Sequence, residues 1–137
     1  MAEKKDSALV ELMAVIQDRI KEAHDRVYLE EVPEKEPGTG KAVQLPYICW
    51  RLPTSTQREL PDEIFLEVDI WDKADSTVRL ENLTAAVDSK LNLWGHIGSL
   101  FGLRIFRINR LQIPDPDPKI RRRRLVYLVR VWFVVTK

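Results

Sequence analysis

Cysteine occurs once in this chain of 137 residues, histidine twice and glycine five times. A lone Cys49 closes no internal disulfide, which fits a reducing compartment. His24 and His96 stand far apart and no cysteine pair accompanies them, so no zinc-ligand spacing exists. His24 reads as a helix-end residue, where a cation favours the dipole, and His96 as a turn residue between glycines. The glycines of Pro37-Gly38-Thr39-Gly40 precede no GK[ST] and no helix, which excludes a phosphate loop. No apolar run reaches the roughly 18–20 residues of a membrane span. The longest candidate, residues 125–135, is too short and carries Arg130. The opening MAEKKDSALVEL has no uninterrupted apolar stretch, so no signal peptide is expected.

What is present describes one ordinary domain over residues 1–137, with 45 % hydrophobic residues. The formal net charge of +1 hides an asymmetry. Residues 1–100 hold 12 Lys/Arg against 19 Asp/Glu, and residues 101–137 hold 10 against 2. Such polarity suits an anionic partner or head-to-tail contact between copies.

Leu9, Leu12, Met13, Ile16 and Ile20 recur at helical spacing and predict a first helix from a cap at Asp6 or Ser7 to about His24. A short strand at Val27–Leu29 follows. Residues 32–44, VPEKEPGTGKAVQ, have little to bury and predict a mobile loop that contacts a neighbour. Leu45–Leu52 reads as a strand starting after Pro46, with Cys49 as a buried structural residue. Residues 53–62 read as a turn or hairpin connection. Glu63–Trp71 alternates clearly: Ile64, Leu66, Val68 and Ile70 share one face, and Phe65, Glu67, Asp69 and Trp71 the other.

Asp75 or Ser76 is expected to cap a second helix to about Leu93, with Leu80, Leu83, Val87, Leu91 and Trp94 as its stripe and Gly95 as C-cap. Leu103–Ile113 reads as a strand with a phase slip at Ile108, hence a bulge. Residues 114–119 turn the chain through three prolines. Ile120–Val135 returns as a long strand, pairing with its predecessor as a hairpin, with Leu125, Tyr127, Val129, Val131 and Phe133 on one side. The expected fold class is α+β: a mainly antiparallel sheet with two helices packed on one face.

Arg121-Arg122-Arg123-Arg124 is the sharpest local signal. Strand alternation sends Arg122 and Arg124 to one face and Arg121 and Arg123 to the other, which breaks up a flat basic patch. Phosphate contact, salt bridges to an acidic neighbour and protection of an edge are the readings open to it. Glu67 and Asp69 share a face and bring two carboxylates together, a spacing compatible with acid–base work or with a solvated or intersubunit surface.

In this order of elements the chain resembles the tail-completion proteins of long-tailed bacteriophages and prophages, also called tail terminators or head–tail joining proteins. The matching pieces are the N-terminal amphipathic helix, Asp25-Arg26-Val27-Tyr28, and Leu45-Pro46-Tyr47-Ile48. They continue with Val68-Asp69-Ile70-Trp71-Asp72, the helix Leu80 to Leu91, the Pro-Asp-rich turn and Arg124 to Val129. The resemblance covers nearly the whole domain, rests on order and carries over no individual functional residue.

The resemblance implies a structural virion protein, assembled in the bacterial host cytoplasm, with no catalysis, cofactor, metal or membrane. Its relatives typically form a hexameric ring at the head-proximal end of the tail. The ring ends tail tube polymerisation and meets the head connector or stopper protein. The expected partners are further copies, the tail tube protein and the connector, with DNA passing through the ring at most non-specifically. On that reading Glu67, Asp69, Trp71, Pro37, Gly38, Gly40 and Arg121 to Arg124 are the interface candidates. Two rivals remain. One is a nucleic-acid-binding module using Arg104, Arg107, Arg110 and the arginine run. The other is a hydrolase using Cys49 or the Glu67/Asp69 pair.

Overall fold

The structure, a computed structural model, describes residues 2–36, 38–53, 55–56 and 62–133. Helix α1 spans Ala2–Lys21. Asp6 and Ser7 fall inside its bounds rather than at its start, after a run of good helix formers. Its buried line is Ala8, Leu12, Ile16 and Ile20, one residue per four-residue step. Leu9 lies about 100° round the helix and stays 36 % exposed. The helix ends before His24 in a tightened turn, with Ala23 N–H donating to the Ile20 carbonyl at 2.9 Å.

Strands β1 (Val27–Leu29), β2 (Tyr47–Arg51), β3 (Ser55–Thr56) and β4 (Asp62–Lys73) follow, then helix α2 (Val78–Leu91). Strands β5 (Gly95–Ile97), β6 (Phe101–Ile113) and β7 (Ile120–Phe133) complete the chain. The sheet order is β1-β2-β4-β7-β6-β5, with β3 paired to β4. It is mixed, since β1 runs parallel to β2 while the other pairs are antiparallel. The short β3 shows that the connection before β4 includes a strand pair. The phase slip is a real bulge: the β6–β7 register shifts between Arg107 and Asn109, leaving Ile108 unpaired.

α2 is capped one or two residues later than at Asp75 or Ser76. Thr77 is its N-cap, and Ser76 Oγ accepts from Val78 N–H at 3.1 Å. Its C-cap is Asn92, not Gly95. Leu93 takes φ +65° and its N–H already bonds the Ile105 carbonyl. The chain therefore turns into the sheet at once, and Gly95 and His96 belong to β5 rather than to a turn.

One core holds the molecule. Leu12, Ile16 and Ile20 of α1 and Leu80, Val87 and Leu91 of α2 pack with Ile48, Trp50, Ile64, Leu66, Val68, Ile70, Ile105 and the odd-numbered residues Leu125 to Val131 of β7. Both helices thus bury their stripes on the same side of the sheet. The other side has no helix over it among the described residues.

Candidate functional site

The helix-free face is where the sequence candidates meet. Pairing of β4 with β7 sets Asp69 opposite Arg124 and Trp71 opposite Arg122. Pairing with β2 sets Cys49 beside Asp69 and Tyr47 beside Trp71. Period-2 alternation puts these side chains on one surface.

Asp69 is only 3 % exposed, with arginines of its own sheet around it. Arg124 donates to both its oxygens, from Nε at 2.8 Å and Nη2 at 3.1 Å. Arg122 donates to Asp69 Oδ2 as well. Arg51 stands 3.7 Å from the same oxygen and bonds Glu67 Oε1 through Nε and Nη2, at 3.1 and 2.9 Å. Burial works to raise the Asp69 pKa, but the hydrogen bonds from Arg124 and Arg122 outweigh it and hold the carboxyl below its ordinary value. Three guanidinium groups around two carboxylates leave this cluster with one excess positive charge.

An aromatic row borders the cluster. Arg122 stacks over the Trp71 ring at 4.3 Å, Tyr47 lies 6.1 Å from Trp71, and Tyr28 meets Tyr47 edge-on at 6.3 Å. Arg51, Tyr47 and Tyr28 were not among the site candidates that the sequence offered. The signal was there for the first two, since Tyr47 and Arg51 alternate with Ile48 and Trp50.

Arg121 and Arg123 point to the other side. Arg121 reaches the Ala74 and Asp75 carbonyls at 3.4 and 3.3 Å. Arg123 Nε donates to Glu81 Oε1 of α2 at 2.7 Å, and Arg110 bonds the other oxygen of Glu81. The hydrogen bond from Arg123 lowers the Glu81 pKa. Arg107 pairs with Asp88 at 2.9 Å, and Tyr127 donates to the same carboxylate at 2.7 Å. The arginine run is therefore two pairs of clamps on opposite faces, and many cations of the nucleic-acid reading are occupied by carboxylates of the same chain.

Gly38 and Gly40 are not part of this cluster. They take φ +87° and +69° in a small reversal in which Lys35 bridges Ala42 and Gly40 N–H donates to the Glu36 carbonyl at 3.2 Å. The loop thus makes its own hydrogen bonds. Pro37 falls outside the described residues.

Cys49 is half-buried on the helix-free face rather than in the core, because Ile48 and Trp50 take the two inward positions of β2. Burial, helped by nearby Asp69, raises its thiol pKa, which works against a thiolate nucleophile. With Asp69 and Glu67 held by arginines, the arrangement fits a rigid polar surface better than acid–base chemistry. Among the described residues no group of three His, Cys, Asp or Glu side chains is placed to hold a metal.

No family profile and no curated protein matches the sequence. The fold does have a solved counterpart. A chain from the virion of a native gene transfer agent particle superposes with a TM-score of 0.58 at 18 % identity, covering 86 % of this chain and 84 % of that one. At that identity the likeness is one of fold.

Proposed function

We propose that this protein is a structural component of a phage or prophage-like virion. In the finer form of the reading it is a tail-completion protein: copies close into a ring, a hexamer in the family it resembles, at the head-proximal end of the tail. The ring stops tube polymerisation, presents a surface to the head connector and performs no catalysis. The observation that carries the reading is the fold shared with a virion chain over most of both lengths. The order of sequence elements supports it independently. Arg122, Arg123 and Arg124 count against phosphate binding as the main task, because each would have to leave a carboxylate of its own chain first.

The test has two arms. Absolute mass in solution by light scattering, at low and high salt, is expected to give a closed oligomer near six copies. Electron microscopy of purified tail tubes mixed with the protein is expected to show density capping one tube end. A protein that stays monomeric and leaves both tube ends bare would overturn the reading.

A further inference from the structure

The β6 side of the sheet ends in an open edge. The segment from Asn92 to Ile97 covers β6 only as far as Arg107, whose N–H bonds Asn92 Oδ1 at 3.0 Å. From Asn109 to Ile113 the strand pairs, among the described residues, with β7 alone. Ile108 and Leu111 there are 52 % and 39 % exposed. A half-open strand with exposed apolar side chains invites another strand. Arg110 lies in it, Arg104 and Arg107 lie just before it in the part that β5 and Asn92 cover, and residues 101–113 contain no carboxylate. Two copies meeting through this same edge would oppose like charges, which disfavours a twofold contact.

The opposite side of the sheet has the reverse character. Its outermost strand, β1, is short and shielded: Gln17 Nε2 donates to the Val27 carbonyl at 3.0 Å, and Glu31 N–H to the Leu29 carbonyl at 2.8 Å. Just beyond it runs Glu30-Glu31-Val32-Pro33-Glu34-Lys35-Glu36, four carboxylates and one cation, outside any strand except for the Lys35 bridge. Glu30, Glu31 and Glu34 are exposed, and Val32 and Pro33 sit half-buried between them. β2, β4 and β7 separate β1 from β6, so at about 4.8 Å per strand they stand roughly 19 Å apart. One copy does not bring its own acidic segment to its own basic edge along the sheet.

We infer that the Glu30–Glu36 segment of one copy docks along the Ile108–Ile113 edge of the next. Val32 and Pro33 cover Ile108 and Leu111, and the glutamates face Arg104, Arg107 and Arg110. Arg107 and Arg110 each spend only part of a five-donor guanidinium on Asp88 and Glu81. The contact is heterologous, so repetition generates a ring or a filament rather than a dimer. This assignment rests on the ring reading and names its interface.

Disulfide trapping in a Cys49→Ser background tests it. Val32→Cys with Leu111→Cys in one chain is expected to give a ladder of cross-linked multimers on mild oxidation. Chains carrying one change each, when mixed, are expected to give dimers and nothing larger. Leu111→Cys alone forming dimers would overturn the proposal in favour of a twofold contact. Charge exchange is the second measure. Glu30→Arg with Glu31→Arg, or Arg104→Glu, is expected to weaken self-association at low salt by about 10-fold or more, and combining all three in one chain to restore part of it. An oligomer indifferent to these changes and uncross-linked by the cysteine pair would sink this interface while leaving the ring reading intact. A monomeric wild-type chain together with a cysteine-pair variant that never cross-links would sink the interface too, with the tail-tube assay deciding the ring separately.

Discussion

The two faces of the sheet bury their residues by different means. On the covered face, Leu66, Val68, Leu125 and Tyr127 lie under helices and lose water to apolar neighbours. On the bare face, Asp69 reaches nearly the same burial under arginines of its own and adjacent strands. The first arrangement is held by packing and tolerates no water. The second is held by directed charge-assisted bonds, keeps a polar surface and needs no covering layer. A sheet of this kind can offer one side to assembly partners without exposing a sticky apolar plane.

The comparison is broken most forcefully from the core. Trp50 is fully buried on the covered face and its indole N–H donates to Gln17. Trp50→Ala is expected to cost about 3–5 kcal/mol in urea unfolding. On the bare face, Asp69→Ala leaves Arg122 and Arg124 facing each other without their shared anion. The expected loss is about 2–4 kcal/mol, the lower end reflecting the residual exposure of both arginines. A loss under about 0.5 kcal/mol would mean that the cluster is a solvated ion pair like any surface one.

Acid sharpens the same contrast. The folded-state pKa of Asp69 is lowered, so its contribution is present above the unfolded value of about 4 and is lost as pH falls through the lower folded value. The urea midpoint of the native chain is expected to drop as pH falls below about 4, and Asp69→Asn to flatten that drop relative to wild type. An unchanged acid slope in Asp69→Asn would assign the drop to other carboxylates. Asp72, where hydrogen bonds from Arg79 and Lys73 outweigh burial, is the first to examine. A smaller effect belongs to the covered face. Tyr127→Phe removes the hydroxyl that donates to Asp88, and about 1–1.5 kcal/mol is expected to go with it.

Local periodicity made much of this legible. The inward sets of β4 and β7, the bulge at Ile108 and the splitting of Arg121–Arg124 follow from alternation over a few residues. Helix ends were less legible: good cap residues such as Asp6 and Ser7 fall inside α1 after a helix-forming run, and Gly95 is taken into β5 by pairing with Arg104. The mixed character of the sheet was hidden too. β1 joins β2 in parallel across a loop whose path no local pattern specifies. The ionic cluster depended on register: Asp69 meets Arg122 and Arg124 only because β4 pairs with β7, two strands separated in sequence by α2, β5 and β6. Cys49 was misplaced for a simpler reason. A small apolar residue in a strand suggests the core until its neighbours Ile48 and Trp50 claim the inward positions.

The finest break in the comparison lies between two adjacent arginines. Arg122 bonds buried Asp69 and stacks on Trp71, while Arg121 makes two long hydrogen bonds to the carbonyls of Ala74 and Asp75. Removing the first strips a partner from a buried carboxylate and uncovers an indole face. Removing the second leaves carbonyls that water can reach from the α2 turn. Arg122→Ala is expected to cost about 1.5–3 kcal/mol and Arg121→Ala about 0.5 kcal/mol or less. Urea titrations of the two variants under one buffer read the difference directly. Equal losses would mean that the arginine run acts as one patch after all, with strand alternation setting where the side chains point but not what they contribute.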